Sequence, residues 1–130
     1  MVPKFRAFLT ETKTMHDVLQ IDLSRSMVSL KIENASEWYW FKEVVLMQST
    51  GLKDKNGVEI FEGDILVNQY GNVGYVAYLQ QEAGFVVVKK KSDYRLGHRN
   101  TGESYDVTTN HEVIGNIHSN PELLEQSNEN

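Results

Sequence analysis

Apolar and polar residues alternate with a period of two along much of this chain, as is typical of β-strands with one buried face. The alternation is clearest at residues 28–32, where valine, leucine and isoleucine are separated by serine and lysine. Turn formers at residues 24–26 precede this run, and another apolar run at residues 18–23 precedes the turn. The two runs predict a hairpin. Since residues 4–9 also resemble a strand, we expect a β-rich N-terminal lobe.

Three further apolar runs follow in the second half of the chain, at residues 64–69, 73–80 and 85–91. Short polar connections separate them, so they predict an antiparallel meander. Gly74 lies inside the second run, at a position suited to a bulge or a tight bend. Because strong bending of short strands closes small barrels, this part of the chain is predicted to form one. A last strand is expected at residues 111–117.

The segment from Met47 to Leu66 joins these two parts and is dense in turn formers. Asn56-Gly57 is the pair that most readily takes the two positive-φ positions of a type I′ turn, and Asp54 can hydrogen-bond forward to the amides of that turn. We therefore expect two short strands to meet at this point.

The same segment carries a family resemblance. The sequence TGLKDKNGVEIFEGDI at residues 50–65 resembles the signature of the YopX-like family, whose members are encoded by phages and prophages. KFRAF at residues 4–8 and VIGNIHSNPELLE at residues 113–125 resemble the first strand of that family and its closing strand and tail. The resemblance implies a mostly β phage protein with an SH3-like small barrel and an unassigned biochemical role. It supplies no functional residues.

Pattern and resemblance together predict a single YopX-like domain over residues 1–130. Its predicted parts are a β-rich lobe at residues 1–47, an SH3-like small barrel at residues 48–118 and a short helical tail at residues 119–130. A chain of 130 residues is long enough to bury a core without a covalent staple.

Composition bears on where the protein acts. The chain has no cysteine, which excludes disulfides and thiolate chemistry and is ordinary for a protein of a reducing compartment. No apolar run approaches the roughly 20 residues that a spanning helix needs, and a charged stretch follows the first residues where a signal peptide would be apolar. We expect a protein of the bacterial host cytoplasm that does not contact the membrane.

The net charge of −5 argues against indiscriminate coating of nucleic acid. A basic segment is the local exception, because residues 89–99 hold one acid, Asp93, among several cations. These candidate nucleic-acid-binding residues are Lys89, Lys90, Lys91, Arg95 and Arg99. A solubilising loop is the alternative interpretation, and we favour it because the remainder of the chain repels phosphate.

An aromatic cluster at residues 38–41 is the candidate interface. It consists of Trp38, Tyr39, Trp40 and Phe41. Exposed aromatic side chains can stack on bases or bind peptides, but they are also the largest apolar contributors to a small core. We favour packing, in the core or in a subunit interface, over a ligand platform.

Catalytic patterns are weak. Glu59, Glu62 and Asp64 are close together, but no second group of ligands completes a metal shell, and the histidines do not form HExxH. There is also no GxSxG elbow and no phosphate-binding glycine loop. We therefore expect no enzymatic activity, no cofactor and no metal.

The most consistent interpretation is an uncharacterised phage or prophage accessory protein that acts as an interaction module. Its expected partners are further copies of itself and a phage or host protein. The alternative is a small-barrel protein that binds nucleic acid through residues 89–99.

Overall fold

The computed structural model of the protein describes residues 4–80, 83–89, 104–106 and 110–126. Strands dominate these residues, and the helical segments among them are a 3-10 turn at Phe41–Glu43 and the helix α1 at Glu122–Gln126. The predicted mostly β fold is therefore confirmed. In the described part of the chain no helix has the length and apolarity to span a membrane. The chain divides into two compact units, Met1–Ser49 and Thr50–Asn130.

The first unit is built on antiparallel strands. They are β1 (Phe5–Leu9), β2 (Thr14–Asp22), β3 (Met27–Ile32), β4 (Ala35–Trp40) and β5 (Val44–Lys53), of which β5 continues into the second unit. Their order in the sheet is β4-β3-β2-β1-β5, and each neighbouring pair is antiparallel. The predicted hairpin is the pair formed by β2 and β3, which are joined by the turn at residues 23–26.

The core of the first unit lies on one face of this sheet. Ala7, Val28 and Leu30 are fully buried there. Partly buried residues surround them, namely Val18, Ile21, Ile32, Tyr39, Phe41, Val44 and Leu46. The alternation in β3 thus directs its valine, leucine and isoleucine to this core, as the sequence predicted.

The second unit contains the predicted meander. Its strands are β6 (Glu59–Phe61), β7 (Asp64–Val67), β8 (Val73–Leu79), β9 (Gly84–Lys89), β10 (Ser104–Asp106) and β11 (Glu112–Asn116). Five of them form a sheet in the order β10-β9-β8-β7-β11, and β6 lies beside β5. The antiparallel pairing of β7 with β8 and of β8 with β9 confirms the meander.

Ile60, Leu66, Val76 and Val87 form the core of the second unit. The chain packs closely here around Gly74, because a Cβ at this position would lie 2.6 Å from the carbonyl oxygen of Val88. The glycine is therefore required by the approach of β9 to β8.

The predicted barrel is not closed in the described residues. The five-stranded sheet is open in its strand order, with β10 at one end and β11 at the other. The SH3-like identity of this unit stays a prediction.

The turn between β5 and β6 differs in type from the one predicted. Gly57 has φ +83°, but Asn56 is not among the residues with positive φ, so the turn is not type I′. The N–H of Gly57 donates to the carbonyl of Asp54 at 3.0 Å, and Asp54 Oδ1 accepts from the N–H groups of Asn56 and Val58 at 2.8 Å. The side chain of Asp54 thereby stabilises a turn in which only the glycine is left-handed.

Candidate functional site

Strand β4 is the outer strand of the first unit's sheet in the described residues. Its register pairs Trp38 with Ser29 and Trp40 with Met27. Because side chains alternate between the faces of a strand, the two tryptophans lie on the same face. That face is opposite the one that carries Val28 and the core.

The structure divides the aromatic cluster into two pairs. Trp38 and Trp40 are 47% and 50% exposed, whereas Tyr39 and Phe41 pack against the core of the first unit. The core interpretation therefore fits Tyr39 and Phe41, and the tryptophans are the part of the cluster that a partner can reach. We call the surface formed by Trp38 and Trp40 the tryptophan face.

Residues paired across neighbouring strands extend the tryptophan face from β4 through β3 onto β2. Ser29 is paired with Gln20 and Met27 with Asp22, so Gln20 lies in the row of Trp38 and Asp22 in the row of Trp40. A shallow groove of about 620 Å³ lies at this end of the sheet. It is lined by Gln20, Ile21, Asp22, Leu23, Arg25 and Trp38.

The charges beside the groove compensate each other. Asp22 Oδ2 lies 3.7 Å from Arg25 Nε, and Asp22 Oδ1 accepts from the hydroxyl of Ser24 at 2.7 Å. The bond from Ser24 is the main cause that holds the pKa of Asp22 below its ordinary value. Over residues 1–49 acidic and basic side chains are equal in number, so the net charge of the chain belongs to residues 50–130. The tryptophan face has no basic excess that would attract phosphate.

Tyr39 and Glu37 form a pair on the core face of β4. The hydroxyl of Tyr39 donates to Glu37 Oε1 at 3.0 Å, and this bond is the main cause that raises the pKa of the Tyr39 hydroxyl. The only acidic side chain of β4 is therefore held by a neighbour on its own strand.

The basic segment lies almost wholly outside the described residues. Lys89 is the last residue of β9. Lys90, Lys91, Arg95 and Arg99 fall outside the described ranges, so their grouping into one surface stays a prediction.

The carboxylates of the central segment bond to the backbone. Asp54 is buried, and its Oδ2 accepts from the N–H of Val113 at 2.9 Å. Asp64, which is also buried, accepts from the N–H of Phe61 at 2.8 Å. In the described ranges no group of three or more His, Cys, Asp or Glu side chains could hold a metal ion.

Sequence reasoning found the aromatic residues of the site but not its other members. Gln20 and Asp22 reach this face because the register of β2 against β3 shifts between Val18 and Gln20. An irregularity of one residue moves side chains to the other face of a sheet. Val18 and Leu19 are adjacent apolar residues, and this break in the alternation of β2 was the signal available in the sequence.

Comparison with known proteins places the chain in a family. No protein of curated function matches it. The crystal structure of protein EF1440 from Enterococcus faecalis is similar, with 35% identity, a TM-score of 0.58, and coverage of 95% of this chain and 99% of the other. The family model described as YopX protein matches residues 4–125, which includes all three segments that carried the resemblance. The chain therefore belongs to the YopX protein family.

Proposed function

We propose that this protein is a non-enzymatic interaction module, encoded by a phage or prophage, which binds a phage or host protein through the tryptophan face in the cytoplasm of the bacterial host. The observation that carries the proposal is the half-exposed state of both Trp38 and Trp40 on one face of an outer strand. Membership of the YopX family and the absence of cysteine support the phage origin and the reducing compartment.

The free energy available at this face is large for so small a surface. A tryptophan buries up to about 250 Å² when it is fully covered, so a half-exposed ring leaves roughly 100 Å² for a partner. At ~25 cal/mol per Å², covering each ring contributes about 2.5 kcal/mol. Trp38 and Trp40 are thus of the residue type and arrangement that dominates protein interfaces.

The surroundings of the tryptophans favour a protein partner. The groove beside Trp38 combines aliphatic side chains with the compensated pair Asp22–Arg25. An apolar centre with a polar and neutral rim is typical of protein interfaces, whereas binding of nucleic acid requires excess cations. A catalytic role has no comparable support, since Asp54 and Asp64 are engaged by backbone N–H groups.

The experiment that tests this function is affinity capture from phage-infected and uninfected host cells, followed by identification of the captured proteins. The bait is the complete chain, and the test variant carries Trp38→Ser with Trp40→Ser. Tyr70→Ser is the matched control, since Tyr70 is a 78% exposed aromatic residue of the second unit. We expect the control to keep a specific partner that the tryptophan variant loses. Equal capture by both variants would exclude the tryptophan face.

A second candidate is nucleic-acid binding by the basic segment of residues 89–99, which follows directly from the end of β9 at Lys89. Tyr78 supports this candidate, since it is half exposed, at 49%, and could stack on a base. The test is titration of labelled single-stranded and double-stranded DNA and RNA at two salt concentrations. The variant for comparison changes Lys89, Lys90, Lys91, Arg95 and Arg99 to Ser. Affinity that falls with salt and is lost in the variant would support this candidate, and no binding at low salt would eliminate it.

A further inference from the structure

Asn56 is the only asparagine of the chain that is followed by glycine. Both residues are exposed in the turn between β5 and β6. The space beside the glycine is open, because no atom lies within 4 Å of the position that a Cβ would take. The backbone nitrogen of Gly57 can attack Cγ of the Asn56 side chain, and glycine hinders this attack least because it carries no side chain. Sequence and exposure therefore permit a spontaneous cyclisation at this peptide bond.

Hydrogen bonds hold the reacting nitrogen while the turn is closed. The N–H of Gly57 donates to the carbonyl of Asp54 at 3.0 Å. The carboxylate of the same Asp54 accepts from the N–H groups of Asn56 and Val58 at 2.8 Å. The nitrogen must lose its proton and turn toward the Asn56 side chain before it can attack, so the bond from Gly57 must first open. Such local openings cost less free energy than global unfolding, and Asp54 determines how often this one occurs.

We propose that Asn56 is a site of spontaneous deamidation, which Asp54 restrains and which detaches the turn from β11 once it has occurred. The nitrogen of Gly57 forms a bond to Cγ of Asn56, and the side-chain NH2 leaves with the proton of that nitrogen as ammonia. Water then opens the resulting succinimide. Cleavage of the new bond to Cγ gives aspartate, and cleavage of the original peptide bond gives isoaspartate. Water is consumed and ammonia is released, and no group is oxidised or reduced.

The turn is attached to the start of β11 on both sides of the Asp54–Lys55 peptide. Asp54 Oδ2 accepts from the N–H of Val113 at 2.9 Å. The N–H of Lys55 donates to the carbonyl of His111 at 2.9 Å, and Lys55 Nζ lies 3.7 Å from Glu112 Oε1. We call these contacts the clasp. They depend on the position in which the turn holds Asp54 and Lys55.

Isoaspartate at position 56 disturbs the clasp through the main chain. The bonds from the N–H groups of Gly57 and Val58 to Asp54 span residue 56. So does the bond from the N–H of Asp54 to the carbonyl of Val58 at 2.7 Å. Isoaspartate inserts a methylene into the main chain between these partners, and hydrogen bonds weaken steeply when their geometry is lost. Because the ammonia has left, refolding cannot restore the asparagine.

The first test measures deamidation of the complete chain during incubation in mildly alkaline buffer. Mass spectrometry of peptides locates each replacement of NH2 by OH, and an isoaspartyl methyltransferase measures isoaspartate. Asn34 is the internal control, since it is also exposed in a turn but is followed by alanine. We expect Asn56 to react at least ~10-fold faster than Asn34. Asn56→Gln keeps an amide but needs a larger ring, and we expect it to abolish the reaction at position 56.

The second test opens the turn. We expect Asp54→Ala to raise the rate at Asn56 by about 10-fold or more, and Asp17→Ala, the control on β2, to leave it unchanged. In concentrated urea all of these chains should react at one common rate, which exceeds that of the folded natural chain. Circular dichroism shows whether each variant is folded in buffer. If Asp54→Ala is not, the natural chain with and without urea decides whether the turn restrains the reaction.

The third test measures the clasp after the reaction. Ion exchange separates the deamidated chain, which has gained a negative charge, and hydrogen exchange then reports on the N–H of Val113. We expect this N–H to exchange at least ~10-fold faster in the isoaspartyl chain than in the natural one. Asn56→Asp is the matched control, because it adds the same charge and keeps the normal main chain. It should exchange as the natural chain does.

Each result decides one step of the inference. Equal rates at Asn56 and Asn34 would overturn the site. A folded Asp54→Ala that reacts no faster than the natural chain would overturn the restraint by Asp54, as would equal rates of the natural chain in buffer and in urea. Unchanged exchange at Val113 in the isoaspartyl chain would overturn the release of the clasp. These measurements contain no partner protein, so they can fail while the tryptophan face still captures one, and the reverse also holds.

Discussion

The carboxylate of Asp54, in the turn between β5 and β6, accepts a hydrogen bond from the N–H of Val113 at the far end of the second unit's sequence. The two atoms are 2.9 Å apart, and the residues are separated by 59 positions. The same carboxylate holds the turn through Asn56 and Val58. One buried side chain therefore joins a local turn to the strand β11.

Removal of this carboxylate is expected to destabilise the fold. Asp54→Ala leaves three backbone N–H groups without their acceptor, and we expect a loss of about 2–4 kcal/mol in the free energy of unfolding. Urea denaturation measures it. Asp17→Ala is the matched control, because Asp17 is an exposed acid of β2 and its removal should change stability by less than ~0.5 kcal/mol. Equal losses in the two variants would contradict the role of Asp54.

Acid should weaken the same contacts. Burial alone would raise the pKa of Asp54, but bonds from the N–H groups of Val113, Val58 and Asn56 outweigh it and hold the pKa below the ordinary value of 3.8. A group with a depressed folded pKa stabilises the protein above its unfolded pKa, and that contribution is lost as pH falls through the folded value. We expect the free energy of unfolding to decrease below about pH 4, and to decrease less steeply in Asp54→Asn. Parallel pH profiles would contradict this assignment.

Gly57 is expected to be required for its backbone conformation. Its φ is +83°, and no atom lies within 4 Å of the position that a Cβ would take. The cost of Gly57→Ala is therefore conformational, and we expect about 1 kcal/mol from thermal or urea unfolding. Gly57→Asn should cost less, because asparagine tolerates the left-handed region. A larger loss in Gly57→Asn than in Gly57→Ala would show that something other than φ governs the site.

Substitution of Gly74 should destabilise the protein for a different reason, because there is no space for a Cβ at this position. A Cβ at this position would meet the carbonyl oxygen of Val88 at 2.6 Å and Val87 Cγ1 at 2.8 Å. Gly74→Ala must separate β8 from β9, and we expect a loss of roughly 1–3 kcal/mol in the free energy of unfolding. Combining Gly74→Ala with Val87→Ala removes one of the two clashes but not the one with the backbone. Full recovery of stability in that double variant would contradict the backbone clash.

The parts of the fold that depend on local pattern were predictable from the sequence. The hairpin of β2 and β3 followed from alternation, and the meander of β7, β8 and β9 followed from apolar runs with short connections. The forward bonds of Asp54 to the turn at Asn56-Gly57 were predicted, but the type of the turn was predicted wrongly, since only Gly57 has positive φ. The bond from Val113 that also holds the Asp54 carboxylate comes from a distant strand, which local pattern does not reveal.

The candidate site was predictable only in part, for the same reason. The sequence indicates that Trp38, Tyr39, Trp40 and Phe41 are aromatic, but not which of them a sheet will turn toward its core. That choice depends on the register of β4 against β3. The bulge that turns Gln20 and Asp22 toward the tryptophans also depends on pairing, so composition could not reveal it.

The bond from the N–H of Trp40 to Glu43 Oε1, 2.7 Å long, has a consequence for aggregation. An aromatic strand edge with a continuous row of donors is the kind of template on which amyloid fibrils elongate. By occupying one donor at the end of β4, Glu43 shortens that template. A charged group placed at the end of a strand edge in this way opposes the addition of further strands.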